Sequence, residues 1–196
     1  MVSPSNILVR RLALVLLVWC VGFAVVDISP AQTPDKTAHS APSKGATPKS
    51  APQVSANLAQ LMRGILFPSS NVIFAAQTEN PANVPPAKDP SMATNPLAST
   101  YGQWAAVENS ALALAEAANL LTIPGRKCAN GRAVPITNPD WPKFVQGLRD
   151  AGMTAYKAAQ SKNQDKILMA ADVITTACGN CHDKYREKTN LEDRCK

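Results

Sequence analysis

The sequence predicts an all-α chain folded as an antiparallel four-helix bundle, and three observations carry that expectation. Four segments repeat apolar residues at helical spacing, two of them in an alternation of three and four, the period of a helix with one buried face. Alanine is frequent and aromatic residues make up only 5%, which suits packed helices better than sheets. The connections joining the second segment to the third and the third to the fourth read as short, so consecutive helices are expected to run antiparallel. With 196 residues the chain holds one domain once its ends are set aside.

Residues 1–31 read as a secretory signal. Arg10 and Arg11 supply a positive start, Leu12 to Val26 is an uncharged apolar run, and Ser29-Pro30-Ala31 offers small residues for cleavage. The run of 15 residues is short for a spanning helix, so cleavage is the first expectation and a retained anchor in the inner membrane the second. Trp19 is too bulky for a lipidation site at Cys20, and the paired arginines lack the rest of a twin-arginine pattern. Residues 32–53 are rich in Pro, Ser, Ala, Thr and Lys without apolar periodicity, the composition of a flexible tether. His39 lies there, where a solvated histidine is expected. The formal net charge of +6 is modest and scattered, so composition gives no reason to expect nucleic-acid binding.

The folded domain is expected over 54–196. Leu58, Leu61, Met62, Ile65 and Leu66 place helix A over 55–67, with Pro68 breaking or kinking it and Val72, Ile73 and Phe74 offering a further turn or two. The stretch 78–99 holds five prolines and few large apolar residues, and reads as a long loop. Helix B follows over 100–121 with Trp104, Val107, Ala111, Leu114, Ala118 and Leu121 as a coiled-coil-like seam, stopped by Pro124-Gly125. A turn-rich connection leads to helix C over 138–160, with Asn138 as N-cap, Pro139 at the first helical position, and Trp141, Phe144, Val145, Leu148, Ala155 and Ala159 on the apolar side. Gly147 and Gly152 either weaken helix C or let another helix or a ring approach closely. Met153 and Met169 are expected in the core. Helix D is expected over 163–188, and its seam is Ile167, Ala171, Ile174, Cys178, Cys181 and Tyr185.

That last seam contains Cys178-Gly179-Asn180-Cys181-His182, the C-x-x-C-H attachment signature of a c-type haem. Two thiols that add across the two vinyl groups of one porphyrin must lie close together, and positions three apart on a helix do so. The next residue, His182, then projects an imidazole from nearly the same face towards the iron. Two other readings compete. A thioredoxin-like dithiol belongs beside a βαβ pattern, which is absent. A four-cysteine zinc site using Cys128 and Cys195 is arithmetically open, but the spacing matches no zinc ribbon and leaves His182 without a role. Haem attachment implies one covalently bound haem c per chain, and with the leader it implies a periplasmic protein. In that oxidising compartment the leftover Cys128 and Cys195 are expected to form a disulfide.

A four-helix chain with C-x-x-C-H late in its last helix resembles the class II cytochromes c, meaning cytochrome c′ and its low-spin relatives. The run Cys-Gly-Asn-Cys-His-Asp-Lys-Tyr-Arg (178–186) is similar to the family's haem motif, and Met62-Arg63-Gly64-Ile65-Leu66-Phe67-Pro68 resembles its first helix. The long loop before helix B and the segment 126–131 depart from the family, which marks a divergent member. The resemblance implies that Cys178 and Cys181 carry the thioether bonds, that His182 is the proximal iron ligand, and that Arg186 sits beside the haem near a propionate. For Arg186 the competing account is a solvated cation at a helix C-terminus. Met62 matches the family's distal position, where a methionine binds iron in low-spin members. Its competing account is a core gap-filler. Met92, in the long loop, is a second candidate for that ligand.

The expected function is periplasmic electron transfer between partner proteins, with no enzymatic turnover and no nucleic acid. A homodimer through helices A and B is a further expectation from the family. The first alternative is a five-coordinate haem protein that binds nitric oxide or carbon monoxide. The second is a haem-free bundle that binds metal through its cysteines or serves as an interaction module. A peroxidase has little support, because the sequence shows no distal histidine or arginine constellation.

Overall fold

The computed structural model describes residues 52–195. The segments expected as a signal over 1–31 and, nearly all of it, as a tether over 32–53, with His39, lie outside the described residues. Helix formation starts at a reciprocal cap. The Asn57 side chain accepts from the Gln60 N–H at 2.8 Å, and the Gln60 side chain accepts from the Asn57 N–H at 2.9 Å. This opens α1 (Leu58–Leu61), which runs into a π-helical segment (Met62–Leu66) and then into α2 (Phe67–Thr78). The expected bound of helix A at Phe67 is corrected, while the further turns expected from Val72, Ile73 and Phe74 are present, because the chain stays helical past Pro68 as far as Thr78. A proline has no N–H for the carbonyl four residues back, and its ring crowds that carbonyl. The π segment lies just before it, with the Phe67 N–H reaching back to the Met62 carbonyl, and the wider turn takes up the mismatch.

The stretch 78–99 is less loose than expected. It holds three short 3₁₀ turns, Pro81–Asn83, Pro90–Met92 and Pro96–Ala98. Asn80, Asp89 and Asn95 each open one, their side chains accepting from the N–H two residues on at 3.0, 3.1 and 3.0 Å. Val84 and Leu97, 3% and 1% exposed, anchor the stretch in the core.

The longer helices are α3 (Gln103–Leu120), α4 (Trp141–Gln160) and α5 (Gln164–Tyr185), and a 3₁₀ turn (Leu191–Asp193) ends the described chain. The only β-type pairing among the described residues is the single Lys127–Ala133 bridge. The helix B seam is buried from Trp104 to Leu121 as expected. α2 packs on α3 and α5, α3 on α4, and α4 on α5, so the contacts close a ring around Ile73, Leu114, Ile167 and Ile174. Small residues bring α3 and α4 together. A Cβ on Gly152 would lie 2.8 Å from the Ala115 nitrogen and 3.0 Å from the Ala111 oxygen, which realises the close approach expected there, whereas Gly147 faces open space. No described helix is long and apolar enough to cross a membrane.

Three further expectations are corrected. α4 starts at Trp141, not at 138, and Pro142 takes the first-turn position. Asn138 is drawn elsewhere, since its amide donates to the Tyr185 hydroxyl at 3.3 Å and its carbonyl accepts from the Trp141 N–H at 3.1 Å. The B–C connection, residues 121–140, is not short. It is a structural hub in which buried Arg126 donates to the Leu120 and Ala56 carbonyls at 3.1 and 2.5 Å, tying α3 to the start of α1. Met169 is 69% exposed on the outer side of α5, because the seam through Ile167 and Ala171 takes the buried face, and Met153 is half-buried.

The expected disulfide is present. Cys128 and Cys195 are bonded with their Cα atoms 4.9 Å apart, across 67 positions of sequence. The Asn130 amide donates to the Glu192 and Arg194 carbonyls, each at 2.9 Å, fastening the tail to the same hub. Two stability outcomes follow from this packing. Gly152→Ala is expected to lose about 1–3 kcal/mol in urea denaturation, since neither backbone can yield to the added methyl. Replacing Cys128 and Cys195 together by Ser is expected to lose about 2–4 kcal/mol, by freeing a long loop of the unfolded chain.

Candidate haem site

The position of the site is set by where α5 begins. The Asn163 side chain accepts from the Lys166 N–H at 3.0 Å and fixes the first turn. Ile167, Ala170, Ala171 and Ile174 then hold one face of the helix in the core. The helix stays regular through Tyr185, so Cys178, Cys181 and His182 emerge on that face one to two turns further on. Cys178 and Cys181 pack partly against the core, and all three side chains are half-buried. They meet a cavity of about 570 Å³, bounded by the π segment and its flanking turns, by α4 and by α5. This volume lies in the range of about 300–1,000 Å³ typical of cofactor and ligand pockets.

The cavity brings together all five residues expected at the site. Cys178, Cys181, His182, Arg186 and Met62 all line it. Its remaining wall is mainly apolar, with Leu58, Leu66 and Phe74 on one side and Trp141, Phe144 and Leu148 on another. Arg63 and Arg186 are its only arginines, and no aspartate or glutamate lines it. Both are exposed. Arg186 is ion-paired with Glu187 through its Nε, whereas Arg63 has no ion pair among the described residues. The second candidate ligand, Met92, is 77% exposed and does not line the cavity.

The electrostatics keep the donor atoms neutral. Both thiols are free of disulfides. Burial pushes the Cys178 thiol up, with Arg186 opposing, and the Cys181 thiol is raised to about 11 by burial, by its neighbour Cys178 and by Asp140. Burial, helped by Arg186, lowers the His182 imidazole, so its uncharged, metal-binding form prevails at neutral pH. The zinc alternative loses two of its four thiols to the Cys128–Cys195 bond, and no group of three or more His, Cys, Asp or Glu among the described residues is arranged to hold a metal ion.

Tyr185 closes the inner end of the wall. It is 8% exposed and lies edge-on to Trp141 at 5.0 Å and to Phe144 at 6.0 Å between ring centroids. Its hydroxyl donates to the Asp140 carboxylate in a short hydrogen bond and accepts from the Asn138 amide. The Trp141 indole N–H donates to the Leu121 carbonyl at 3.1 Å. The ring wall is therefore held by polar contacts at its edges.

Two features escaped the sequence reading. Arg63 is the sole charged residue between 54 and 78, a sequence signal that sets it apart from its apolar surroundings. It supplies an arginine at the cavity, with His182 the only histidine among the described residues. The Tyr185–Asp140 bond gave no sequence signal, since it joins residues 45 apart.

That bond has a pH signature. The Tyr185 hydrogen bond first, and Lys184 among the smaller causes, hold Asp140 below its ordinary value of 3.8. Its contribution to stability is thus present above about pH 3.8 and is lost as the pH falls through the lowered folded value. Tyr185→Phe is expected to flatten the acid limb of a stability-against-pH curve below pH 4 relative to the parent. An unchanged acid limb would show that the pair carries no linkage.

No protein-family model, curated protein or solved structure matches the chain.

Proposed function

We propose that this chain is a secreted mono-haem c-type cytochrome of the class II type, an antiparallel four-helix bundle that carries electrons between periplasmic partner proteins. The observation that carries the reading is the make-up of the apolar cavity beside α5. Two free thiols and a neutral imidazole converge on a pocket that is otherwise mostly apolar, whose only arginines are two exposed ones and which no acid lines. A flat apolar macrocycle with two carboxylates on its edge has the complementary chemistry, and thiols three apart match its two vinyl groups.

The cofactor supplies one-electron redox chemistry at iron. The chain's residues set its terms. Cys178 and Cys181 hold the group covalently, so it stays in place in a dilute compartment. His182 offers its uncharged ring nitrogen as the proximal ligand. Trp141, Phe144 and Leu148 exclude water and lower the local dielectric, which limits reorganisation when charge changes. Arg63 and Arg186 balance carboxylate charge and disfavour the more positive ferric state, raising the potential. Because Glu187 already offsets Arg186, Arg63 carries more of this effect.

Met62 distinguishes two roles. Bound to the iron, its thioether would give a low-spin electron carrier. The structure also packs Met62, half-buried, against the apolar core, and this observation favours a second reading in which the iron stays five-coordinate and binds nitric oxide or carbon monoxide. Visible spectra of the mature protein, oxidised, reduced, and reduced under carbon monoxide, separate the two. A low-spin spectrum unmoved by carbon monoxide and turned high-spin by Met62→Ala is the expected result. A high-spin spectrum shifted by the gas transfers the assignment to gas binding, and absence of any haem band removes both.

A potentiometric titration provides a further test. Arg63→Gln is expected to lower the midpoint potential by ~40 mV, corresponding to about 1 kcal/mol for a one-electron couple, and Arg186→Gln by less.

A further inference from the structure

A second hollow, of about 250 Å³, lies beside the Cys128–Cys195 bond and has chemistry opposite to that of the apolar cavity. Four cations line it from three separate parts of the chain. Arg132 comes from the connection between α3 and α4, Lys184 and Lys188 from the end of α5 and just beyond, and Arg194 from the tail. The only acid lining it is Asp193, and Arg132 already engages that carboxylate at 3.0 Å. We infer that this hollow is a binding site for a small multivalent oxyanion of the phosphate or sulfate type.

The donors are available. Arg194 spends its Nε on the Lys188 carbonyl at 2.6 Å, and its terminal nitrogens have no partner among the described residues. The Lys188 ammonium has none either. Lys184 is held loosely, with 3.7 Å to the Asp140 carboxylate. Interaction with the α5 dipole accounts for Lys184 and Lys188, which lie at or just beyond the helix C-terminus. It does not account for Arg132 and Arg194, which reach the same hollow from other segments. Asp193 and Asp140 offset Arg132 and Lys184, which leaves Lys188 and Arg194 as cations without a carboxylate partner among the described residues, a surplus of positive charge that an anion would balance. The disulfide and the Asn130 bonds to the tail fix the two arginine-bearing segments against each other, so the hollow exists before any ligand arrives. A volume of about 250 Å³ admits a group the size of phosphate or sulfate.

The inference does not rest on haem attachment, and its test reads binding alone. The mature full-length protein would be titrated calorimetrically with inorganic phosphate and with sulfate, at ionic strength held constant with sodium chloride. A saturable isotherm with one ion per chain is expected, weakened about tenfold or more in the double variant Lys184→Gln, Lys188→Gln. Both substitutions keep helix-forming side chains, and unchanged far-ultraviolet dichroism checks that the variant folds. Flotation with phosphatidylglycerol vesicles separates a free ion from a lipid headgroup. Flotation lost in the double variant, without binding of inorganic phosphate, assigns the same cations to a headgroup. Absence of both phosphate binding and vesicle binding overturns the inference, as does an isotherm that the double variant leaves unchanged.

Discussion

A helix offers its neighbours one narrow stripe, and α5 uses that stripe for two purposes. Over Ile167 to Ile174 the stripe is aliphatic and fully buried, which fixes the rotation of the helix against α2 and α4. Over Cys178 to Tyr185 the same stripe carries thiols, an imidazole and a phenol ring. The core therefore aims the chemistry. Rotating α5 enough to expose Cys178 would also pull Ile174 out of the core, at a cost of about 1.5–3 kcal/mol for that side chain alone. This coupling between packing and aim lets a short motif act from a regular helix, without a dedicated loop.

The rest of the architecture can be understood as making room at the end of that stripe. Along most of their length the helices approach closely, through Gly152 and the fully buried alanines of α3, α4 and α5. Near Cys178 the wall residues change to bulky rings and to the π segment, and a cavity opens there. The π segment serves two ends. It carries the helix through Pro68, and it sets Met62 and Arg63 on the turn that borders the cavity. The hub between α3 and α4 joins three elements at this end. It holds the start of α1 through Arg126, the ring wall through Asp140 and Asn138, and the tail through the disulfide.

Local chemistry made much of this visible in the sequence. The seams of α3 and α5 follow from residue spacing alone, and α3, α4 and α5 fall within the spans the apolar period placed, whereas helix A runs on as α2 past its expected bound. The disulfide was reachable by counting thiols once the C-x-x-C pair had a separate use. Elements decided at long range were not reachable. Pro68 reads as a break or a kink because the wider turn that accommodates it has no sequence signature. Asn138-Pro139 reads as a helix start because nothing local shows that Tyr185 claims both Asn138 and Asp140. Met169 looks like core by composition, but its position, two residues after Ile167, puts it on the outer face. The motif residues of the site were thus legible, whereas the cavity they line and the unpaired Arg63 beside them required the fold.

The central claim is that Cys178 and Cys181 hold a haem covalently. Intact-mass spectrometry of the denatured protein, made with a cytochrome c maturation system, tests it most directly. The account predicts that one haem stays on the chain after denaturation and acid extraction, and that replacing both Cys178 and Cys181 by Ala abolishes the retained mass. A chain that leaves the maturation system without added mass, its two thiols free, would contradict it.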